Sequence, residues 1–305
     1  MQIVVAGGTG FLGSALVTRL RNDGHTVAVL SRHPRGAHQH EWSPYGSSSG
    51  WLHLLEGADA VINLAGAPIA ARWTAAHKRE MWNSRLLSTR TLVGAIKSVR
   101  HGPPVLINAS AIGTYGDRAD EMVTEDCQPG SGFLASMGAA WEKETRSAPP
   151  ETRVVLLRTG IALGKEGGAL PRMALPFRFF VGGPLGSGRQ YVSWIHRDDW
   201  TAMVCWALAS DELSGPLNVT APHPVTNLEL ARTLGRVLRR PALLPAPAFA
   251  LRAILGEMAD AVLTGQRVLP AKAHALGFEF THPELEEALR SIFGTQYAHQ
   301  AGRRA

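Results

Sequence analysis

The chain has 305 residues, of which 45% are hydrophobic and 18% are charged. A chain of this length and composition buries about three quarters of its unfolded surface, which excludes intrinsic disorder and predicts either one large domain or a large domain with a lobe. The formal net charge of +6 includes no long basic run, which argues against nucleic-acid binding. A preference for arginine in the composition and a small anionic ligand explain the charge equally well.

The first predicted elements enclose a glycine-rich turn. Residues 2–6 form a short β-branched run typical of a buried strand, and the apolar spacing of residues 11–22 predicts a helix. Between them, Gly7, Gly10 and Gly13 form a GxxGxxG pattern. The backbone of such a turn approaches a pyrophosphate closely, and the helix N-terminus offers unpaired N–H groups to the anion. The pattern predicts a dinucleotide site; the alternative is a tight turn without a ligand.

The second predicted strand, residues 26–30, is followed by Ser31 and Arg32. A carboxylate at this position would accept hydrogen bonds from the adenosine ribose and favour NAD. A hydroxyl and a guanidinium are instead the groups expected around a 2′-phosphate. We therefore predict NADP (NADPH) as the cofactor, with NAD the less favoured one. The alternative is that Arg32 is a surface arginine.

Strands and helices alternate through the next hundred residues. The predicted strands are 60–64, 105–108 and 152–157, and the predicted helices are 73–83, 86–99 and 133–147. This alternation predicts an α/β fold, a Rossmann-type doubly wound parallel sheet with a smaller C-terminal α+β lobe. Small residues after the strand at 60–64 would let a cofactor lie against the carboxyl end of the sheet.

Glycine and proline become more frequent in the second half of the chain. A glycine-rich loop spans residues 182–188, short strands are predicted at 191–195 and 217–219, and Thr226 with Glu229 predicts a capping box. We predict an NADP-binding domain at 1–165, its sheet completed by parts of 190–220. The lobe at 166–305 would bind substrate and end in a helical region at 241–296.

The cysteines and histidines predict neither disulfides nor metal. Cys127 and Cys205 are far apart, and none of the twelve histidines stands in a metal-ligand spacing, so we expect scattered surface histidines. The sequence begins without a basic segment and contains no apolar run of about 18 residues. We predict a cytoplasmic protein with no secretion signal and no membrane contact, as a monomer or homodimer that binds a small-molecule substrate.

Four segments resemble the extended short-chain dehydrogenase/reductase superfamily, which includes the nucleotide-sugar epimerases and dehydratases. They are VVAGGTGFLG at 4–13, NLAG at 63–66, the stretch 110–117, and SWIHRDD at 193–199. More narrowly, RTG at 158–160 and GGPLGSGRQ at 182–190 resemble the YfcH-like epimerase family proteins. In that family the C-terminal region is a small domain of unknown function.

The turn pattern and the resemblance together assign twelve residues to the cofactor. These residues are Gly7, Thr9, Gly10, Phe11, Leu12, Gly13, Ser31, Arg32, Leu64, Ala65, Gly66 and Ala109.

The resemblance also implies a catalytic serine, tyrosine and lysine. It puts Ser110 at the serine, but Phe133 at the tyrosine and Met137 at the lysine. Neither side chain can move a proton or carry charge, so other groups would have to substitute. Tyr115 and Glu142 are the candidates. The alternatives are that Tyr115 packs under its loop and that Glu142 is a solvated helix carboxylate.

Four further residues are candidates for substrate binding. Arg85 would clamp an anion, although a surface or salt-bridge arginine is the alternative. Gln190, Trp194 and His196 would face the substrate cleft, or His196 would only brace Trp194.

Two functions remain open. The first is an NADP-dependent oxidoreductase or epimerase acting on a polar small molecule, such as a nucleotide sugar or a phosphorylated metabolite. The second is a catalytically weak or inactive NADP-binding sensor or regulatory protein.

Overall fold

The structure is a computed structural model that describes residues 1–46 and 49–301, with side chains as far as residue 294. Within these residues, none of the helices is both long enough and apolar enough to cross a membrane.

A seven-stranded parallel sheet forms the centre of the molecule, in the order β11-β7-β5-β4-β1-β2-β3. Its strands are β1 Gln2–Ala6, β2 Thr26–Ser31, β3 Gln39–Glu41, β4 Ala60–Asn63, β5 Val105–Ala111, β7 Arg153–Thr159 and β11 Gly215–Val219. The strand order reverses between β1 and β4, and ligands of open α/β sheets bind outside the carboxyl ends of strands at such a point.

Six short strands pair outside this sheet, as β10 with β8, β12 with β9, and β13 with β6. They are β6 Met122–Val123, β8 Ile161–Leu163, β9 Tyr191–Val192, β10 Trp194–His196, β12 Val225–Thr226 and β13 Arg267–Val268. The strand predicted at 191–195 is therefore two strands, separated at Ser193. Its hydroxyl donates to the Gln266 carbonyl and accepts from the Val268 N–H, which fixes this break against β13.

Helices cover both faces of the central sheet. They are α1 Phe11–Asn22, α2 Ala75–Ser98, α3 Phe133–Thr145, α4 Leu170–Arg178, α5 Arg197–Ala209, α6 Asn227–Leu238, α7 Ala248–Leu255, α8 Asp260–Leu263, α9 Ala271–Ala275 and α10 Leu285–Ala301. The predicted capping box is confirmed, because Thr226 caps α6 and Glu229 reaches back to the Thr226 N–H. The predicted helices at 73–83 and 86–99 are one continuous helix, α2, in which Ser84 bonds the carbonyl of Met81.

Three of the apolar clusters among the described residues pack the sheet and its helices. One packs Leu16 of α1 and Trp200 of α5 against one face of the sheet, and another packs Leu92 of α2 with Trp51 against the opposite face. The third joins α4, α6 and α10 in the second half of the chain. Coverage of a parallel sheet on both faces confirms the predicted doubly wound Rossmann-type fold.

Candidate functional site

The turn between β1 and α1 leaves the backbone donors of the helix uncapped. Gly10 precedes α1, and no side chain caps the helix. Gly7 has a φ of 78°, in the left-handed region that favours glycine, and a Cβ there would lie 2.7 Å from the carbonyl carbon of Leu64. The turn therefore presses against the end of β4, and the first N–H groups of α1 remain available to an anion.

Gly10 and Gly13 have different roles in this turn. A Cβ on Gly13 would collide with the carbonyl oxygen of Gly7, so Gly13 is what lets α1 pack against the turn. A Cβ on Gly10 would contact that oxygen at 3.4 Å and otherwise point into open space. The turn between β1 and α1 therefore leaves room for a pyrophosphate to approach the backbone at Gly10.

Three neighbours of these glycines were also assigned to the cofactor. Thr9 is exposed, whereas Leu12 packs against the core under the sheet. The ring of Phe11 packs on the glycine-rich segment after β8, since a Cβ on Gly164 would lie 2.7 Å from the ring. The side chains of Phe11 and Leu12 thus pack inside the protein, and what these residues offer a ligand is their backbone N–H.

Arg32 projects from the end of β2 into solvent, directly after the half-buried Ser31. Nearby, the Tyr45 hydroxyl donates to Oε1 of Glu80 at 3.3 Å. Burial and the Glu80 carboxylate raise the pKa of Tyr45, while the charge of Arg32 lowers it, so the three side chains lie within electrostatic reach of one another. Sequence reasoning missed Tyr45 and Glu80, because only the fold brings their two segments to Arg32.

Buried amides fix the turn after β4. The Asn63 side-chain nitrogen donates to Oδ1 of Asn108 at 2.7 Å, and its oxygen accepts from the Ala65 N–H at 3.1 Å. The partly exposed Leu64 and Ala65 and the exposed Gly66 therefore lie beside the glycine turn at the carboxyl edge of the sheet. Ala109, one residue past Asn108 on β5, is half-buried near the same edge.

Arg85 on α2 is a buried cation without a buried counter-charge. It is 8% exposed and pairs with no carboxylate among the described residues. One guanidinium nitrogen donates to the Met81 carbonyl at 3.1 Å, and the guanidinium lies 5.3 Å from the Trp141 ring. Burial lowers the pKa of Arg85 to about 10. A Cβ on Gly66 would lie 3.1 Å from its central carbon, so this charge stands directly behind the turn after β4.

The structure joins Ser110 and Glu142 in a buried ion-pair network. The Ser110 hydroxyl donates to Glu142 at 2.7 Å, and Arg158 on β7 donates to both carboxylate oxygens, at 2.8 and 2.9 Å. Burial tends to raise the pKa of Glu142, but the hydrogen bonds and charge of Arg158 outweigh it and the pKa is lowered. Glu142 is therefore a buried, ionised carboxylate, which corrects the solvated-helix alternative. Its acid/base role stays a prediction.

Tyr115 belongs to the same network. Its side chain is fully buried, and its hydroxyl donates to Oδ1 of Asn218 and accepts from Arg158, at 2.7 and 2.8 Å. Burial raises the pKa of Tyr115 to about 12, although Arg158 acts in the opposite direction. A general base needs an accessible, easily ionised phenol. The three catalytic candidates therefore meet inside the protein, which agrees with the alternative that Tyr115 packs under its loop. A catalytic role of Tyr115 stays a prediction.

An apolar cluster fills the positions at which the resemblance expects tyrosine and lysine. Met137 is 4% exposed and packs with Trp73 and Met81. The Phe133 ring lies 5.5 Å from the Trp73 ring and 5.4 Å from the Lys78 ammonium. Since Lys78 also pairs with Glu257 at 2.5 Å, its charge is directed to the C-terminal region.

Gln190, a candidate for substrate binding, has one side-chain polar atom without a hydrogen-bond partner. Its amide nitrogen donates to the carbonyls of Leu185 and Val262, at 3.0 and 2.9 Å. Its side-chain oxygen is buried without a hydrogen-bond partner. Gln190 therefore fixes the glycine-rich loop to the C-terminal region and leaves a free acceptor.

Trp194 and His196, both candidates for substrate binding, are buried, and their assignment to the substrate stays a prediction. Trp194 is fully buried and donates from its indole nitrogen to the His223 carbonyl at 3.0 Å. His196 is 5% exposed and caps α5 by accepting from the Asp198 N–H. Trp194 packs in the apolar cluster that joins α4, α6 and α10, and His196 lies at the start of α5 with its ring 4.0 Å from that of His282.

Sequence comparison places most of this chain in one known family. The sequence model described as the NAD dependent epimerase/dehydratase family matches residues 3–219. The chain belongs to the NAD dependent epimerase/dehydratase family. The glycine turn and the turn after β4 described above both lie within the matched region. A second model, domain of unknown function (DUF1731), matches residues 246–292 of this family member.

Relatives from distant organisms cover nearly the whole chain. An Arabidopsis thaliana protein, "Epimerase family protein SDR39U1 homolog, chloroplastic", is 42% identical over 96% of this chain and 86% of its own. The Bacillus subtilis "Epimerase family protein YfhF" is 41% identical, over 96% and 98% of the two chains. Since one relative is named chloroplastic, the cytoplasmic location of this family member stays a prediction.

The crystal structure of human epimerase family protein SDR39U1 (isoform 2) with NADPH has a similar fold. It superposes with a TM-score of 0.89 and 36% identity, over 96% of this chain and 99% of the human one. The resemblance to YfcH-like epimerase family proteins is thereby confirmed. NAD(P) binding is a property of the family. Membership of the family does not distinguish NAD from NADP.

Proposed function

We propose that this family member binds NADPH in preference to NADH and that hydride chemistry at the site is slow or absent. The proposal rests on one combination of features. The glycine turn between β1 and α1 is open to a ligand, but the positions at which the resemblance expects the catalytic tyrosine and lysine are apolar. The glycine turn between β1 and α1 and the exposed Arg32 supply groups for an anionic dinucleotide. Phe133 and Met137 supply no group that transfers a proton.

The residues at the carboxyl edge fit the parts of a dinucleotide phosphate. The uncapped N–H groups at the start of α1 would bind the pyrophosphate, and the exposed guanidinium of Arg32 would bind the 2′-phosphate. Tyr45 and Glu80 would border the adenosine half. The bound nicotinamide would supply hydride, and the Asn63 network would hold the turn beneath it in place.

Cofactor preference is tested by replacing the exposed arginine. Wild-type protein is expected to bind NADPH at least about tenfold more tightly than NADH, because losing a charge-assisted phosphate contact costs about 1.5–3 kcal/mol. Arg32→Ala should reduce this preference and leave the affinity for NADH nearly unchanged, as measured by calorimetry. Arg35→Ala is the matched control, because Arg35 is also exposed, three residues along. Equal affinities of the wild type for the two cofactors would refute the proposed preference.

An NADP-dependent enzyme acting on an anionic polar substrate is the second candidate, favoured by two observations. Arg85 is a buried cation without a carboxylate partner among the described residues, and the side-chain oxygen of Gln190 is a buried acceptor without a donor. Both groups would gain from a polar ligand that carries a negative charge and a hydroxyl, such as a nucleotide sugar or a phosphorylated metabolite.

The two candidates are separated by turnover. NADPH oxidation and sugar-nucleotide epimerisation are measured for wild type, Ser110→Ala and Tyr115→Phe. Because both hydroxyls are committed to buried partners, any turnover should change less than about twofold in either variant, while thermal stability falls. A loss of about 10²-fold or more in a folded variant would restore Ser110 or Tyr115 as a catalytic group. Tight NADPH binding without turnover of any substrate would favour the sensor over the enzyme.

A further inference from the structure

A cluster of donor groups lies at the start of α5, outside the dinucleotide site. His196, Asp198 and His282 each offer one ligand atom, and these atoms lie within 4.8 Å of one another. The two imidazole rings are 4.0 Å apart, and Nδ1 of His196 is 3.9 Å from the Asp198 carboxylate. The cluster joins β10 and α5 to the segment that precedes α10.

Hydrogen bonds fix the tautomer of His196. The Ser291 hydroxyl donates to the Ala288 carbonyl at 2.9 Å, so it accepts from Nε2 of His196, which lies 3.1 Å away. The proton is therefore on Nε2, and Nδ1 keeps its lone pair, which accepts from the Asp198 N–H at 3.1 Å. A histidine held in this way, with one nitrogen protonated against an acceptor, is oriented like a metal ligand.

His282 has a buried nitrogen without a partner. Its Nδ1 is shielded from solvent and makes no hydrogen bond, and the Glu287 carboxylate is 4.0 Å away. The backbone that carries this side chain is held firmly, because Asp199 accepts from the N–H groups of Thr281 and His282 at 2.9 and 2.8 Å. A buried polar atom without a partner costs free energy unless a ligand satisfies it.

The donor set determines which ion suits the cluster. Two imidazoles and a carboxylate suit zinc-like divalent ions, whereas magnesium and calcium take oxygen ligands. Zinc–ligand bonds of about 2.0–2.2 Å require donor atoms closer together than 4.8 Å. The side chains of Asp198, which is 66% exposed, and of His282, which is 16% exposed, would both have to move to bring the three donor atoms together. The Asp198 N–H would then give up its bond to His196.

We propose that His196, Asp198 and His282 bind a zinc-like divalent transition-metal ion. Acidic side chains outnumber basic ones around the two imidazole rings. Asp198, Asp199 and Glu287 surround the rings. The nearby cation, Arg197, lies 3.6 Å from Asp198 and also pairs with Glu166. A bound ion would link the start of α5 to the segment before α10 and stabilise the C-terminal region against unfolding. The site is separate from the proposed cofactor function.

Zinc binding to untagged, metal-free protein tests the proposal. Calorimetry should give one zinc ion per chain, and cobalt should give the visible absorption of a nitrogen- and oxygen-ligated site. Zinc should raise the melting temperature of the wild type. His282→Phe keeps a ring against His196 but removes the donor, so zinc affinity should fall at least about tenfold and the thermal shift should disappear. Asp198→Asn should weaken binding in the same direction.

His223→Phe is the matched control. His223 also pairs with a carboxylate in this region, at 2.7 Å from Glu284, but lies outside the cluster. Its zinc affinity should stay within about twofold of the wild type. Equal zinc affinity of wild type and His282→Phe would refute the site. So would the loss of zinc binding on alkylation of Cys127 and Cys205, since it would assign the ion to thiolates.

Discussion

Replacing Gly10 with valine is expected to abolish dinucleotide binding while the protein stays folded. The added side chain would start in open space, with only the Gly7 oxygen at 3.4 Å from its Cβ, so it would clash with little of the protein itself. It would occupy the space in front of the uncapped N–H groups of α1, where we propose the pyrophosphate binds. Calorimetry with NADPH and circular dichroism measure the two effects.

Two other glycines make this experiment specific. Gly94→Ala adds a side chain on α2 where no atom lies within 4 Å, so binding should be unchanged, while helix propensity raises stability by up to about 1 kcal/mol. Gly13→Ala should instead destabilise the protein, because the new Cβ collides with the backbone of the turn. A folded Gly10→Val variant with wild-type NADPH affinity would make the turn purely structural.

Replacing Glu142 with alanine should cost about 3–5 kcal/mol of folding stability, because it leaves the guanidinium of Arg158 buried and unpaired. Arg158 is 3% exposed, and both oxygens of Glu142 accept from it. Urea unfolding measures the difference. Glu144→Ala is the matched control on the same helix, since Glu144 pairs with the exposed Arg90, and its loss should be about 1 kcal/mol or less.

The ion pair of Glu142 and Arg158 makes the folding stability depend on pH. Because the pKa of Glu142 is lowered in the folded protein, its contribution is complete above the unfolded value of 4.5 and is lost as the pH falls through the folded value. Wild type and Glu142→Ala should therefore converge in stability at acid pH. A variant that is less than about 1 kcal/mol below the wild type at neutral pH would contradict the structural role of the pair.

Local patterns in the sequence were sufficient for the first βαβ unit. The bounds of β1 and α1 agree with those predicted. The patterns that predict them, the spacing of apolar residues and the three glycines, involve only neighbouring residues. The capping box at Thr226 and Glu229 is equally local and was also predicted correctly. Helix α2 was split in the prediction, since its interior Asn83 and Ser84 are weak helix formers that tertiary packing tolerates.

Burial of the catalytic candidates depended on residues far away in the chain. Tyr115 bonds Asn218 and Glu142 bonds Arg158, across 103 and 16 positions, and neither spacing leaves a pattern in the sequence. Trp194 was predicted to contact the substrate as part of the SWIHRDD segment that carries the family resemblance. Its indole instead packs in the cluster formed by α4, α6 and α10, and only the three-dimensional path of the chain determines this.

The position of β11 at the edge of the central sheet has a consequence for synthesis on the ribosome. The first 165 residues supply six of the seven strands, but β7 lacks its outer neighbour until residues 215–219 have been made. A nascent chain of that length would expose the free N–H and C=O groups of β7, a surface prone to pairing with other chains. Completion of the central sheet must therefore wait for translation of about fifty further residues.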